Sequence, residues 1–532
     1  MIKKTHFVQL SLLMVLLFIL FQITSISITF DDLKSSFEEG REGQHNVYGV
    51  EADGSVEAQK IYLLGDGQEE DSTMVNALSF MQKSFEVAVD LSEVEDEAKQ
   101  GDVVILPHLQ SQEEYDVERV KGLLSRGVHF ILAALPEEIS NEMKQVLGIE
   151  KIGERSCRKG VAFFEDFLVG DKKDFPKIYV SARDVKVSAT AKTFVAAMPD
   201  EGIKETNEEV TDYIWRNIYE NGHIYTVNGP FLNADYATGI LQALFAQIET
   251  HYIYPVVNAK GIFVSNGPYL SEENTELLQE EYARGSQRIF MDIILPDLMA
   301  LSMRTGNVTS FFATDVIRGG NPDYSEEMFE QLNFIDGEAE KIGGVLQIHE
   351  NEESDRLRTA FEEFIPRFED RVRYFDVWEE RYADSFDNRA VVVPWDAQKG
   401  YTHPENEPVY ISVGMDGFEV TDRDLLKLHS LINGLGVITH NIDLESVIYP
   451  GAEKDHWTVG FKKFSSAVTT YWGQYEGLEA LNAMDLAKRV ENFEVLESEI
   501  IKRTDGMDVK MEHLNEDAYF ILRTDEKNIR VD

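Results

Sequence analysis

The chain has 532 residues, 96 acidic against 50 basic, for a formal net charge of −46. That balance excludes a nucleic-acid binder, which needs a basic face for phosphates, and argues against docking on anionic lipid. Hydrophobic residues make up 43% of the chain, enough for several cores, so two or three folded domains are expected rather than a disordered chain. The single cysteine, Cys157, leaves no internal disulfide and no cysteine zinc cluster; with no histidine near it in sequence it reads as an isolated thiol.

Lys3 and Lys4 precede an apolar run from Phe7 to about Phe30, long enough to reach across a bilayer. Residues 1–30 are therefore expected to be a transmembrane signal anchor, favoured over a removed signal peptide because no clean small-residue cleavage site follows. The positive residues ahead of it put the bulk of the chain outside the cell membrane as a single-pass protein. Residues 31–58 are polar and aperiodic, a stalk. The paired aspartates Asp31 and Asp32 at its start are set aside, because no domain strand precedes them.

From residue 59 short apolar runs alternate with amphipathic stretches. Strands are predicted at Ile61–Leu64, Val87–Leu91, Val103–Leu106 and Val128–Leu135, with helices at Thr73–Lys83, Glu113–Arg126 and Glu137–Leu147. Such alternation implies an α/β domain over 59–159 with a parallel sheet. Gly65-Asp66-Gly67 after the first strand lacks both a GxGxxG pattern and a P-loop lysine. The strand ending at Leu135 leads to Pro136 and Glu137 with no nucleophile elbow. Residues 160–237 read as a β-rich connector. A helix follows at Thr238–Glu249, its apolar face being Ile240, Leu241, Leu244, Phe245 and Ile248.

Across 238–455 the alternation resumes with about seven strand–helix repeats, among them Ile262–Val264, Val308–Ala313, Val345–Ile348, Ala390–Val393, Val409–Val413 and Gly436–Thr439. That many repeats suggests a distorted (β/α) barrel. Residues 456–532 are a C-terminal appendage.

Two strand ends carry polar side chains. Ile262–Val264 runs into Ser265 and Asn266, and Val345–Ile348 runs into His349, with Glu353 four residues on. His349 and Glu353 could hold a divalent metal such as zinc if they shared a helical turn, with His440 or Asp443 as a third ligand. Serine without a partner is no general base, and asparagine is a poor ligand for a zinc-like ion. Asp292, Asp297, Asp315, Glu350 and Asp396 are further carboxylates near strand ends or loops. Trp378, Trp395, Tyr401, Trp457, Tyr471 and Trp472 are aromatic rings that either stack on sugars or pack in cores.

On these strand ends and the order of its elements, the chain resembles a bacterial membrane-anchored family, the domain of unknown function 2194. That family joins an anchor, an amidotransferase-like or flavodoxin-like α/β domain and a barrel of the polysaccharide-deacetylase (NodB) type. The resemblance implies a paired-aspartate strand end where this chain has Ser265 and Asn266, and a His-x-x-x-His pair where it has His349 and Glu353. His440 matches a barrel-mouth position. The cleft Ser265, Asn266, His349, Glu353 and His440 is thus expected to be vestigial, with no catalytic, cofactor or metal residue assigned beyond the candidates His349 and Glu353. The implied role is a non-catalytic, extracytoplasmic protein that binds or escorts an exopolysaccharide beside its synthesis and export machinery. An active deacetylase or glycosidase with an altered site, and a structural scaffold of an export complex, stay open as alternatives.

Overall fold

The computed structural model describes residues 59–65, 72–107, 116–164, 167–170, 174–199, 210–233, 235–249, 251–266, 275–312, 347–348, 372–375, 390–394, 409–448, 456–503, 506–514, 516–526 and 529–531. Among them no helix is long and apolar enough to cross a membrane. The apolar run expected to anchor the chain lies outside the described residues, so the single-pass, membrane-anchored topology finds no support and is not carried further.

The first half is one nine-stranded sheet. Its strands are β1 (Ile61–Leu64), β2 (Glu86–Ala88), β3 (Val103–Leu106), β4 (His129–Leu132), β5 (Ile149–Phe163), β6 (Asp174–Val187), β7 (Lys192–Ala197), β8 (Thr211–Tyr219) and β9 (Gly222–Val227), in the lateral order β2-β1-β3-β4-β9-β8-β7-β5-β6. The first four pair in parallel, and β4 also joins β9 in parallel. Beyond β9 all pairing is antiparallel, so β5, β6, β7 and β8 complete the same sheet. Alternation along β3 explains why both faces are covered: Val103 and Ile105 join one core and Val104 and Leu106 the other.

Helix α1 (Ser72–Phe80) packs on the first face through Met74, Ala77 and Leu78. The predicted strand Val87–Leu91 stops at Ala88, because the Asp90 carboxylate accepts from Ser92 N at 2.6 Å and caps helix α2 (Leu91–Glu95). Helices α3 (Val117–Ser125, capped by Asp116) and α4 (Asn141–Leu147, capped by Ser140) cover the second face. Helix α5 (Ala237–Ile248) coincides within a residue with its predicted span and is buried on the first face.

In the second half β10 (His251–Val256) leads to β11 (Ala259–Ser265). Parallel strands follow: β12 (Thr309–Phe312), β13 (Gln347–Ile348), β14 (Val372–Phe375), β15 (Ala390–Pro394), β16 (Val409–Val413), β17 (Met415–Asp416) and β18 (Val437–Asp443). They form two sheets, β12-β11-β18-β17 with β19 (Glu479–Ala480) on β11, and β13-β14-β15-β16. The expected barrel is therefore not closed among the described residues: no pair joins β12 to β13, and β16 parts from β17 at Gly414. Helices α6 (Leu295–Thr305) and α8 (Trp457–Trp472) cover one face, while α9 (Ala483–Val495) covers the other. Helix α7 (Asp422–Leu435), opened by a Thr421–Asp424 capping box, contributes to both of these cores. The C-terminal region is woven in: after the hairpin β20 (Glu497–Arg503) and β21 (Gly506–Glu512), β22 (Tyr519–Thr524) pairs antiparallel with β10.

Candidate functional site

Polar side chains converge at the carboxyl ends of β11, β17 and β18. The local pattern ends the last strand at Thr439, but it runs on through His440, Asn441 and Ile442 to Asp443, in register with β11 so that Ser265 lies opposite Asp443. Side chains alternate between faces. Ile438 and Ile442 join the core under α6 and α8, and Val437 joins the core under α9. Asn441 and Asp443 therefore share the second face with Ser265, whereas His440 points into the first.

On the second face the Asn441 amide Nδ2 bridges two partners, donating to Ser265 Oγ at 3.2 Å and to Asp416 Oδ1 at 2.8 Å. Asp416 stands opposite Asn441 on β17 and is exposed, while Ser265 and Asn441 are buried. Beside them Asn266 is fully buried with φ +57°, a left-handed conformation that asparagine tolerates better than most residues. Its Nδ2 donates to Asp443 Oδ1 at 2.6 Å. The same carboxylate oxygen accepts at 2.9 Å from the N–H of Glu445, the first residue of the short helix Glu445–Ile448. Asn266 and Asp443 thus brace the rim, and the buried Asn441 holds Asp416, whose side chain is exposed.

His440 is 0% exposed. Its Nε2 donates to the Gly417 carbonyl at 2.7 Å, and its Nδ1 accepts from the Tyr471 hydroxyl at 2.6 Å. The Phe464 ring packs edge-on at 4.9 Å. Burial lowers its pKa to about 4, against a smaller upward effect from the Gly417 carbonyl, so the ring is neutral and sealed on the far side of the sheet. His349 and Glu353 lie outside the described residues. The structure thus brings Ser265 and Asn266 together and sets His440 apart from them.

Among the described residues no group of three or more His, Cys, Asp or Glu side chains is placed to hold a metal ion. Trp457, Tyr471 and Trp472 are buried in the core and offer no face to a sugar. Asp297 accepts from Trp457 Nε1 at 2.8 Å, and Asp292 pairs with Arg284 at 3.0 Å. Trp378, Trp395, Tyr401, Asp315, Glu350 and Asp396 lie outside the described residues. Cys157 is exposed on β5. Asp416 and Asn441 were not among the residues that the sequence singles out; the signal was the alternation Thr-His-Asn-Ile-Asp, which puts Asn441 and Asp443 on one face once the strand is extended.

No family model matches the chain, and no curated protein matches it. Membership of the membrane-anchored family therefore finds no support, and neither do the membrane localisation and the place beside exopolysaccharide export machinery. Among solved structures, the carbohydrate deacetylase Agd3 shares 8% identity over 83% of this chain and 88% of its own, with a TM-score of 0.45. A β-galactosidase from Rahnella sp. R3 shares 15% identity over 38% of this chain at a TM-score of 0.25, and the match spans 34% of its length, about a third. A cytoplasmic protein from Salmonella typhimurium LT2 shares 8% identity over 36% of this chain and 100% of its own, also at 0.25. These similarities are too slight to carry an argument about fold or function, and the functional reading rests on the strand-end cluster itself.

Proposed function

We propose that Asp416, oriented by the buried Asn441 and Ser265 behind it, is the contact point of a subsite for a carbohydrate-class ligand, preferably an amino sugar, bound without hydrolysis. The observation that supports this most directly is the Asn441 amide held between Ser265 Oγ and the exposed Asp416 carboxylate. The exposed Asp416 carboxylate, fixed from behind by the buried Asn441 amide, offers acceptors in a set direction, which suits a ligand that carries hydroxyl and ammonium groups. The carboxylate adds a charge-assisted bond to an ammonium group. A net charge of −46 raises the local concentration of any cationic ligand. The carboxyl ends of parallel strands are where open α/β sheets bind their ligands.

Turnover is not part of the proposal. Ser265 Oγ accepts from Asn441 and has no histidine hydrogen-bonded to it among the described residues, so it lacks the base that activates a serine nucleophile. Calorimetric titration with a partly deacetylated chitin oligosaccharide tests the reading. Asp416→Asn is expected to weaken binding about tenfold, the loss of one charge-assisted contact, and the fully acetylated oligomer should bind more weakly than the deacetylated one. Binding untouched by Asp416→Asn, or release of acetate from the oligomer, would overturn it.

A further inference from the structure

On β8 the register of the nine-stranded sheet brings two cations side by side. Arg216 stands opposite Lys192 of β7 on one flank and Tyr225 of β9 on the other. Paired residues point to the same face, which for Tyr225 is the first face, under α5. Like charges directly opposite one another repel. Lys192 turns its ammonium over the Phe194 ring at 5.3 Å and stays partly exposed, whereas Arg216 is only 8% exposed. Its guanidinium hydrogen-bonds the Tyr225 side chain, but the Nε–H is buried with no partner. Among the described residues no carboxylate pairs with it.

The wall beside the guanidinium is made of donors and neutral rings. His223 lies two residues from Tyr225 on β9, its ring 6.2 Å from the tyrosine ring and 5.1 Å from that of His129 on β4. His129 Nδ1 accepts from His223 N at 3.2 Å, so the neutral ring carries its proton on Nε2 and offers a further N–H. Burial, with Arg216 as the second cause, holds both histidines well below 6.5, so they lose their charge in the folded chain. An arginine cannot do so. The acceptors at the end of α5 are engaged: the Gln247 carbonyl accepts from the Tyr225 hydroxyl at 2.8 Å, and the Glu249 carboxylate pairs with Lys502 at 2.7 Å.

A buried cation with an unpartnered N–H, a second cation across the strand and no acid is the complement of a negative charge. We propose that Arg216 binds a small inorganic anion, of halide size because the residue is more than nine-tenths buried, with the His129–His223 pair as the wall beside it. The Nε–H supplies the directed contact. The anion takes the place of the missing carboxylate and offsets the repulsion between Arg216 and Lys192. This site is separate from the one at Asp416, which lies in another sheet, and does not depend on that reading.

Crystals of the full chain soaked in sodium bromide, with data collected at the bromine edge, should show anomalous density in contact with the Arg216 Nε–H, and crystals of Arg216→Gln should lack it. In solution the wild type should melt about 2 °C higher in sodium chloride than in sodium gluconate at equal ionic strength, gluconate being too large to enter. Matching the ionic strength removes the general screening of the net charge, which both salts share. The preference should vanish in Arg216→Gln. A wild-type bromide map with no density at Arg216 overturns the inference, and it decides alone if the variant does not fold. A bromide peak without any chloride preference in solution also overturns it, because it marks an ion taken up at crystal concentration only. So does a chloride preference that survives in Arg216→Gln.

Discussion

The buried histidines show how placement decides a residue's chemistry. His129 on β4 and His223 on β9 sit 5.1 Å apart between ring centroids, and His129 Nδ1 accepts from His223 N at 3.2 Å. Burial, then the Arg216 guanidinium, lowers His129 to about 4; burial, Arg216 and His129 together lower His223 to about 3. Both values lie below the 6.5 of an unfolded histidine, so the unfolded chain binds protons that the folded one refuses. The stability these rings contribute is complete above pH 6.5 and falls as pH drops toward 4. By pH 5 each costs on the order of 2 kcal/mol, and His440 adds a third such cost. Urea midpoints measured from pH 7.5 to 5 should fall steeply in the wild type and less so in His223→Asn; a flat profile would refute this. None of it was legible beforehand, because His129 and His223 are 94 residues apart and meet only when β9 pairs with β4.

At the scale of elements, the two halves of the chain join where α5 crosses α7. Gly239 N donates to Ser430 Oγ at 3.1 Å, that hydroxyl donates to the Tyr236 carbonyl at 2.8 Å, and Asn433 Nδ2 donates to the Gly239 carbonyl at 2.8 Å. A Cβ on Gly239 would run into the Ser430 backbone, so Gly239→Ala should cost about 2 kcal/mol by forcing the helices apart. A lowered urea midpoint at unchanged slope would show this, and an unaltered midpoint would refute it. Several elements could be read locally: α5 from its apolar face and β3 from its apolar run. The end of β18 could not. Polar residues at a strand terminus look like loop, and only pairing with β11 and β17 holds Asn441 and Asp443 extended. That one difference of four residues is what assembles the candidate site.

Over the whole molecule, charge is the largest effect that composition sets. A net charge of −46 repels itself in the compact state, and screening relieves it. Raising salt from about 0.01 M to about 0.15 M shortens the Debye length from roughly 30 to 8 Å, so the melting temperature should rise over that range; a constant or falling value would contradict this. By itself the sequence determined what depends on neighbours along the chain: the acidic surface, the α/β alternation, the strand delivering Ser265 and Asn266, the absence of disulfides. Only the tertiary structure decided which groups meet. It turned His440 away from Ser265, put Asn441 between Ser265 and Asp416, and parted the parallel strands into two sheets among the described residues. The physical reason is that side-chain facing follows strand register, and register is set by contacts between residues up to hundreds of positions apart, which local pattern does not contain.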